Sequence, residues 1–154
     1  MEFNSFLTGF IDGEGCFHIS FTKRKKMKTG IEVRPSFSVS QQKRNLSLIK
    51  RIHEHFACGA IRFSRSDHNY KYEVRSLADL RKQIIPHFRS FPLQSSKARD
   101  FEKFVQICDL MANHQHVTSD GLRKIIDLAY QMNPAGKRRY LKKELLKVLD
   151  KMKV

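Results

Sequence analysis

A chain of 154 residues with 30 Lys and Arg against 15 Asp and Glu carries a formal charge of +15, and a domain so basic is expected to meet a polyanion, nucleic acid first. Its 40% hydrophobic content, with twelve Phe, supports a single domain, 1–154, with a substantial core. No apolar run approaches the ~18 residues of a membrane helix, no signal peptide is visible, and three scattered cysteines make no disulfide framework, so a reducing, intracellular setting and no membrane partner are expected.

Phe3, Phe6, Leu7, Phe10 and Ile11 recur at helical spacing and predict a first helix, N-capped by Asn4 or Ser5 and stopped by Gly13 and Gly15. Its end is unusual. Asp12 and Glu14 lie where the helix dipole is negative, a placement that costs roughly 0.3–1 kcal/mol per acid, so a positive group is expected to offset them. Gly9 and Gly13, four residues apart, share one face and permit close approach of another backbone.

Phe17, Ile19 and Phe21 then alternate with Cys16, His18, Ser20 and Thr22, the pattern of a half-buried antiparallel strand. Residues 23–30 read as a basic turn. A second strand follows with Ile31, Val33, Phe37 and Val39 on one face, and Pro35 hints at an edge or bulge. A helix over about 44–56 places Leu46, Ile49, Ile52 and Phe56 inward. Two short strands come next: Ile61 and Phe63 face inward in the first, and Tyr70, Tyr72 and Val74 alternate with charges in the second. Ser76 with Asp79 opens a third helix, limited or kinked by Pro86. Further helices are expected over about 95–112 and 119–132, followed by a basic helical tail from Lys137 in which Leu141, Leu145, Val148 and Leu149 pack.

The order αββαββα predicts an α+β fold with one four-stranded antiparallel sheet, its core over about 3–112 and a C-terminal helical extension over about 117–154. One sheet face needs helices. The other interleaves long donors with small hydroxyls, which suits base-edge and phosphate contacts in a wide groove. The candidate DNA contacts are Ser20, Thr22, Lys23, Arg24, Lys26, Arg34, Ser36, Ser38, Ser40, Arg62, Ser64, Asn69, Lys71 and Arg75. A merely solvated face would mix Glu with Lys more evenly; between Gly15 and His53 the one acid is Glu32. The pairs Cys16 and His18, His53 and His55, and His114 and His116 fit no standard zinc spacing.

The stretch Leu7-Thr8-Gly9-Phe10-Ile11-Asp12-Gly13-Glu14-Gly15 resembles the LAGLIDADG motif of homing endonucleases. Thr stands for the first Ala, Phe for the second Leu, Gly for the second Ala and Glu for the second Asp. The predicted element order matches that family as well. The resemblance implies that Glu14 ligates a divalent metal, Mg²⁺ or Mn²⁺, with the carbonyl of Gly13, and that Asp12 bonds a neighbouring helix end. It implies Gln41, just after the second strand, as a water-orienting residue, and Lys97 as the basic residue that stabilises phosphate charge or lowers the pKa of water. Arg44 is a weaker candidate near the scissile backbone. No second copy of the motif is present, so the resemblance implies a homodimer joined through a face containing Gly9, Phe10 and Gly13. The expected function is metal-dependent, site-specific cleavage of a long pseudo-palindromic DNA duplex with a staggered cut, promoting intron homing. The expected setting is an organelle, chloroplast or mitochondrion, or a prokaryotic cytoplasm. The alternative is a non-catalytic module on the same fold, an intron RNA maturase or a DNA-binding regulator, with intron RNA as partner.

Overall fold

In a computed structural model of the chain these patterns resolve into α1 (Phe3–Glu14), β1 (Gly15–Lys23), β2 (Ile31–Gln42), α2 (Leu46–Phe56), β3 (Ala60–Phe63), β4 (Asn69–Val74), α3 (Leu77–Asp79), α4 (Ile85–Ser90), α5 (Lys97–Ala112), α6 (Ser119–Ala129) and α7 (Lys142–Met152). A 3-10 turn, Lys43–Asn45, leads into α2, and a π turn, Leu80–Ile84, joins α3 to α4. The structure describes residues 2–134 and 136–152. The strands form a four-stranded sheet in the order β1-β2-β4-β3, the α+β architecture expected. The chain divides into two compact units, residues up to Phe17 with Ser36–Ala98, and His18–Pro35 with the residues from Arg99 onward.

The first unit has an aromatic core. Phe37 is fully buried, with Phe17 at 5.1 Å, Phe88 at 5.7 Å and Phe56 at 5.9 Å between ring centroids. Each such pair adds about 0.5–1.5 kcal/mol beyond its burial. Tyr72 joins them fully buried, and its hydroxyl is satisfied by donating to the Cys58 carbonyl at 2.8 Å. From α2 come Ile49, Ile52 and Phe56, all buried at helical spacing. Register explains the strands: β4 pairs with β2 over Phe37–Gln42, so Pro35 falls beyond its reach, where no ladder partner on that side is denied an N–H. The inward placement expected of Phe63 does not hold. It is 49% exposed, because β3 is a four-residue edge strand, and its ring lies 5.1 Å from Tyr70.

Pro86 does not break its helix. The preceding turn widens to a π turn, and Pro86 falls near the start of α4, where a missing N–H is tolerated. The capping of α3 by Ser76 is observed, its Oγ accepting from the Asp79 N–H at 3.2 Å. The expected cap of α1 is corrected: Glu2, not Asn4 or Ser5, caps it, its carboxylate accepting from the N–H groups of Asn4 (2.8 Å) and Ser5 (3.1 Å). A charged acceptor at the positive end of the dipole outcompetes a neutral hydroxyl or amide.

Thr8 buries its hydroxyl against α4. Its Oγ1 donates to the Phe91 carbonyl at 2.8 Å and lies 3.1 Å from His87 Nε2. The hydroxyl proton being committed to Phe91, His87 donates through Nε2, which fixes its neutral tautomer. Burial, helped by the nearby His55, pulls the His87 pKa down to about 4.

The second unit holds the β1–β2 hairpin end and the C-terminal helices. The Arg24 N–H donates to the Gly30 carbonyl at 2.8 Å and closes the loop. Gly30 has φ +79°, and a Cβ there would meet Val148 Cγ1 at 2.8 Å, so glycine is required twice over. Ile19, Phe21, Ile31 and Val33 are buried, as are Phe104, Ile107 and Cys108 of α5, Leu122, Ile125 and Ile126 of α6, and Leu145 and Leu149 of α7. Thr118 caps α6, accepting from the Gly121 N–H at 3.0 Å. The tail is not helical from Lys137, as expected, but from Lys142. The intervening segment is spent on tethers instead: Arg138 donates to the carbonyls of Ile19 and Ala129, and Tyr130 donates to the Tyr140 carbonyl. Leu141, expected to pack, is 59% exposed.

The depressed His87 pKa makes a pH prediction. Its folded value is about 4 against an ordinary 6.5, so the unfolded chain binds the proton more readily between them. Its contribution is present in full above pH 6.5 and is lost as the pH falls toward about 4, with a limiting slope of about 1.4 kcal/mol per pH unit. Urea unfolding across this window will show that acid slope, and His87→Asn will flatten it; an unchanged slope refutes the assignment.

Candidate active site

The motif stretch runs through the last turns of α1 into β1. Leu7 and Ile11 are fully buried and fix the helix against its own unit, while Gly9, Gly13 and Glu14 are exposed. A Cβ built at Gly9 or Gly13 meets nothing within 4 Å. Within a single chain, then, neither glycine is needed for space. The side chains of Phe6 and Phe10 lie on the same helix, their rings 6.0 Å apart, with Phe6 37% exposed.

The two acids have different surroundings. Asp12 is fully engaged: Oδ2 accepts from the Gln94 N–H at 2.6 Å, and Oδ1 accepts from the Ser95 N–H at 3.1 Å and the Ser95 hydroxyl at 2.5 Å. Partial burial works to raise its pKa, but Ser95, the Gln94 N–H and the Lys97 charge together hold the carboxyl below its ordinary range. This is the helix-end partner expected of Asp12, on the segment that enters α5. The sequence did not point to Gln94 or Ser95; the small-polar run Gln94-Ser95-Ser96 ahead of a helix was the available signal.

Lys97, the first residue of α5, turns back onto α1. Its Nζ donates to the carbonyls of Ile11 at 3.0 Å and Asp12 at 3.1 Å. These are carbonyls of the last turn, which carry the negative end of the dipole. The positive group expected opposite the two acids is therefore Lys97. Glu14 remains. Among the described residues its carboxylate has no hydrogen bond or ion pair.

Gln41 lies within β2 rather than just after it, opposite Tyr70 of β4, and its Oε1 accepts from Asn45 Nδ2 at 2.7 Å. No hydrogen bond joins it to Glu14 or Lys97. Arg44 is exposed in the turn before α2. Among the described residues no group of three or more His, Cys, Asp or Glu side chains surrounds a common point. At the end of α1 the described residues therefore present the free Glu14 carboxylate and nearby carbonyls, not a closed metal cage.

The expected sheet contacts fall in both units. In the first, Arg62, Lys71 and Arg75 are paired or exposed on the β3–β4 edge, with Ser64 and Asn69 at the turn between them. Ser38 is the exception, 9% exposed, a small side chain directly opposite Glu73. In the second, Ser20 donates weakly to the Arg34 carbonyl at 3.4 Å, and Lys23, Arg24, Lys26 and Arg34 crowd the hairpin end.

Comparison with known proteins places this geometry. The family model described as LAGLIDADG endonuclease matches residues 7–108. A probable intron-encoded endonuclease 3 of Neurospora crassa is 34% identical over 127 residues, 82% of this chain but 24% of that protein. The chain spans only 24%, 25% and 29% of the length of three curated relatives it matches. Among solved structures, a homing endonuclease, I-TnaI, superposes with TM-score 0.83 at 32% identity, covering 97% of both chains. I-SmaMI, bound to an uncleaved DNA target in the presence of calcium ions, superposes with TM-score 0.86 at 32% identity over 96% of this chain and 48% of its own.

Removing the Asp12 carboxylate strips three hydrogen bonds from the entry to α5. Asp12→Ala should lower stability by about 1–2 kcal/mol, the scale of a lost helix cap, and Asp12→Asn by less, because one acceptor oxygen remains. Urea midpoints of the two variants test this ordering; equal midpoints for wild type and Asp12→Ala contradict it.

Proposed function

The chain belongs to the LAGLIDADG endonuclease family, and from that premise we propose that it is a metal-dependent, site-specific DNA endonuclease of the intron-homing type. One observation carries the proposal. Of the two acids ending α1, Asp12 has both oxygens occupied, and Glu14 is exposed and unpartnered. A carboxylate left free at the negative end of a helix is poised for a cation.

The donor set fits Mg²⁺ or Mn²⁺. Both take hard oxygen ligands, and Mg²⁺ keeps several waters, so Glu14, the Gly13 carbonyl and DNA phosphate oxygens form a sufficient shell. When bound, the ion lowers the pKa of water and neutralises charge on the phosphoryl oxygens. The protein's own part is positional. Lys97 and Asp12 fix the end of α1, and the Lys97 ammonium adds positive charge beside the scissile phosphate. Gln41, held by Asn45, presents its amide N–H groups to a water.

DNA is the substrate this reading requires, and the basic sheet supplies the means: long donors and hydroxyls for phosphates and base edges. The relative solved on its DNA target supports the same partner. Intron RNA is a second polyanion that the exposed Lys142, Lys143, Lys147 and Lys151 of α7 would accept. The site of action is wherever the intron-bearing genome resides, an organelle or a prokaryotic cell.

Two copies complete the site. The exposed Gly9 and Gly13 offer a seam with no occupant in one chain, and two such seams would bring two Glu14 carboxylates together across a twofold axis. Coverage supports the count: the chain matches nearly all of one homing endonuclease chain and about half of another.

Cleavage selection from a randomised duplex pool should yield a site cut with Mg²⁺ and spared with EDTA. Glu14→Gln should lose roughly 10³-fold or more in cleavage, the several kcal/mol a metal contributes, while still binding the duplex. A wild type that never cuts, or a variant that cuts equally, sinks the enzyme reading. Separately, Gly9→Val should fold normally, since its Cβ has open space in one chain, yet sediment as a monomer where wild type sediments at twice the chain mass. A wild type that is monomeric both free and on DNA refutes the dimer.

A further inference from the structure

Acids are scarce on the basic strands, and two of them recur in one arrangement. On β2, Glu32 Oε1 lies 3.1 Å from Arg24 Nε and 3.0 Å from Arg34 Nε. On β4, Glu73 Oε1 lies 2.9 Å from Arg75 Nε, and Oε2 lies 3.2 Å from Lys71 Nζ. Each carboxylate thus sits between two cations, once in each unit. Glu73 retains only 10% side-chain exposure. Its cross-strand neighbours, Ser38 on one side and Ala60 on the other, are small and leave room for Lys71 and Arg75 to lie over it.

The atoms matter more than the charges. In all three arginines the guanidinium nitrogen nearest the carboxylate is Nε, an ion pair by distance. A guanidinium paired on its Nε side has its stem restrained and keeps the terminal Nη pair available for another partner. That pair is the planar fork that reads guanine O6 and N7 bidentately, or a phosphate. Among the described residues no other hydrogen bond or ion pair engages the guanidinium groups of Arg24, Arg34 or Arg75. An acid on a polyanion-binding face also weakens binding to any phosphate backbone. Ion pairs whose cations are about half exposed, as these are, contribute only about 0–1 kcal/mol to stability, too little to explain a repeated placement against that penalty. Around Glu32 burial works to raise the pKa, but Arg24 and Arg34 outweigh it and hold the carboxyl below its ordinary range, so the pairs persist at neutral pH.

We infer that Glu32 and Glu73 are positioning residues for sequence discrimination: they fix Arg24, Arg34 and Arg75 as preset forks and lower the affinity of the face for DNA of arbitrary sequence. The inference rests on the DNA-binding reading above. The effect of the two carboxylates is on which duplex is held, not on the cleavage chemistry.

The test uses the full chain, a labelled random-sequence duplex and the duplex recovered by cleavage selection. Glu32→Gln and Glu73→Gln keep the side-chain shape and remove the charge. Each should bind the random duplex about tenfold more tightly near 0.1 M salt, with a salt slope steeper by about 0.9, one phosphate contact's worth. Preference for the selected duplex over the random one should fall, and sites cut by the variants should tolerate more substitutions. By ¹⁵N relaxation, the arginine Nε–H groups, restrained in wild type without DNA, should become mobile in the variants. Urea midpoints check folding; if Glu73→Gln does not fold, Glu32→Gln carries the test alone. Variants with unchanged random-duplex affinity, slope and preference overturn the inference while the endonuclease reading stands. A wild type that binds no duplex overturns both.

Discussion

A helix that ends in two carboxylates works against its own dipole, and the site exists because one lysine resolves that conflict. Lys97 places an ammonium on the last-turn carbonyls of α1, and Asp12 in turn accepts three hydrogen bonds from the segment that launches Lys97. The two contacts are reciprocal. Each orders the chain that delivers the other, so the end of α1 and the start of α5 are fixed as one piece. What remains is Glu14, whose freedom is a product of how completely its neighbour has been used.

The buried half of the molecule serves the same end. Leu7 and Ile11 seat α1 on its unit, and Thr8 ties it to α4 through Phe91 and a neutral His87. Leu7, Ile11 and Thr8 are buried, and His87 is committed to Thr8. Their role is to leave α1 no freedom of rotation, so that the stripe carrying Gly9, Gly13 and Glu14 faces outward. A metal-assisted reaction depends on that kind of placement, since much of its rate comes from orientation rather than from reactive side chains.

Most of this is legible in the sequence. Period-two and period-3.6 patterns gave the strands and helices because Phe17, Ile19, Ile49 and Ile52 are buried by the elements that display them. The resemblance set Asp12 apart as a bonding partner of a helix end and named Lys97 near the start of α5; Asp12 bonds Gln94 and Ser95, and Lys97 reaches the α1 carbonyls. What stayed hidden has physical causes. Glu2 is hidden as a cap because capping preference favours the short side chains of Ser, Asn and Asp, and a longer carboxylate reaching two N–H groups is a feature of the folded geometry. Phe63 looked inward by alternation, but alternation cannot say that a strand is four residues long at the sheet's edge. His87 and Gln94 act across some eighty residues of chain, beyond any local pattern. By contrast, Lys71-x-Glu73-x-Arg75 and Glu32-x-Arg34 display their pairing openly, as alternate residues on one strand face.

The tether from Arg138 to the Ile19 carbonyl bears on a hazard that every basic, sheet-built protein faces. A terminal strand with unpaired backbone groups invites another strand to add to it. At β1 that backbone is met by a guanidinium from the chain's own C-terminal segment, and at the opposite margin β3 is too short to template much. Strand addition at the sheet margins is thereby discouraged. The backbone stays committed to the fold, and recognition is left to side chains.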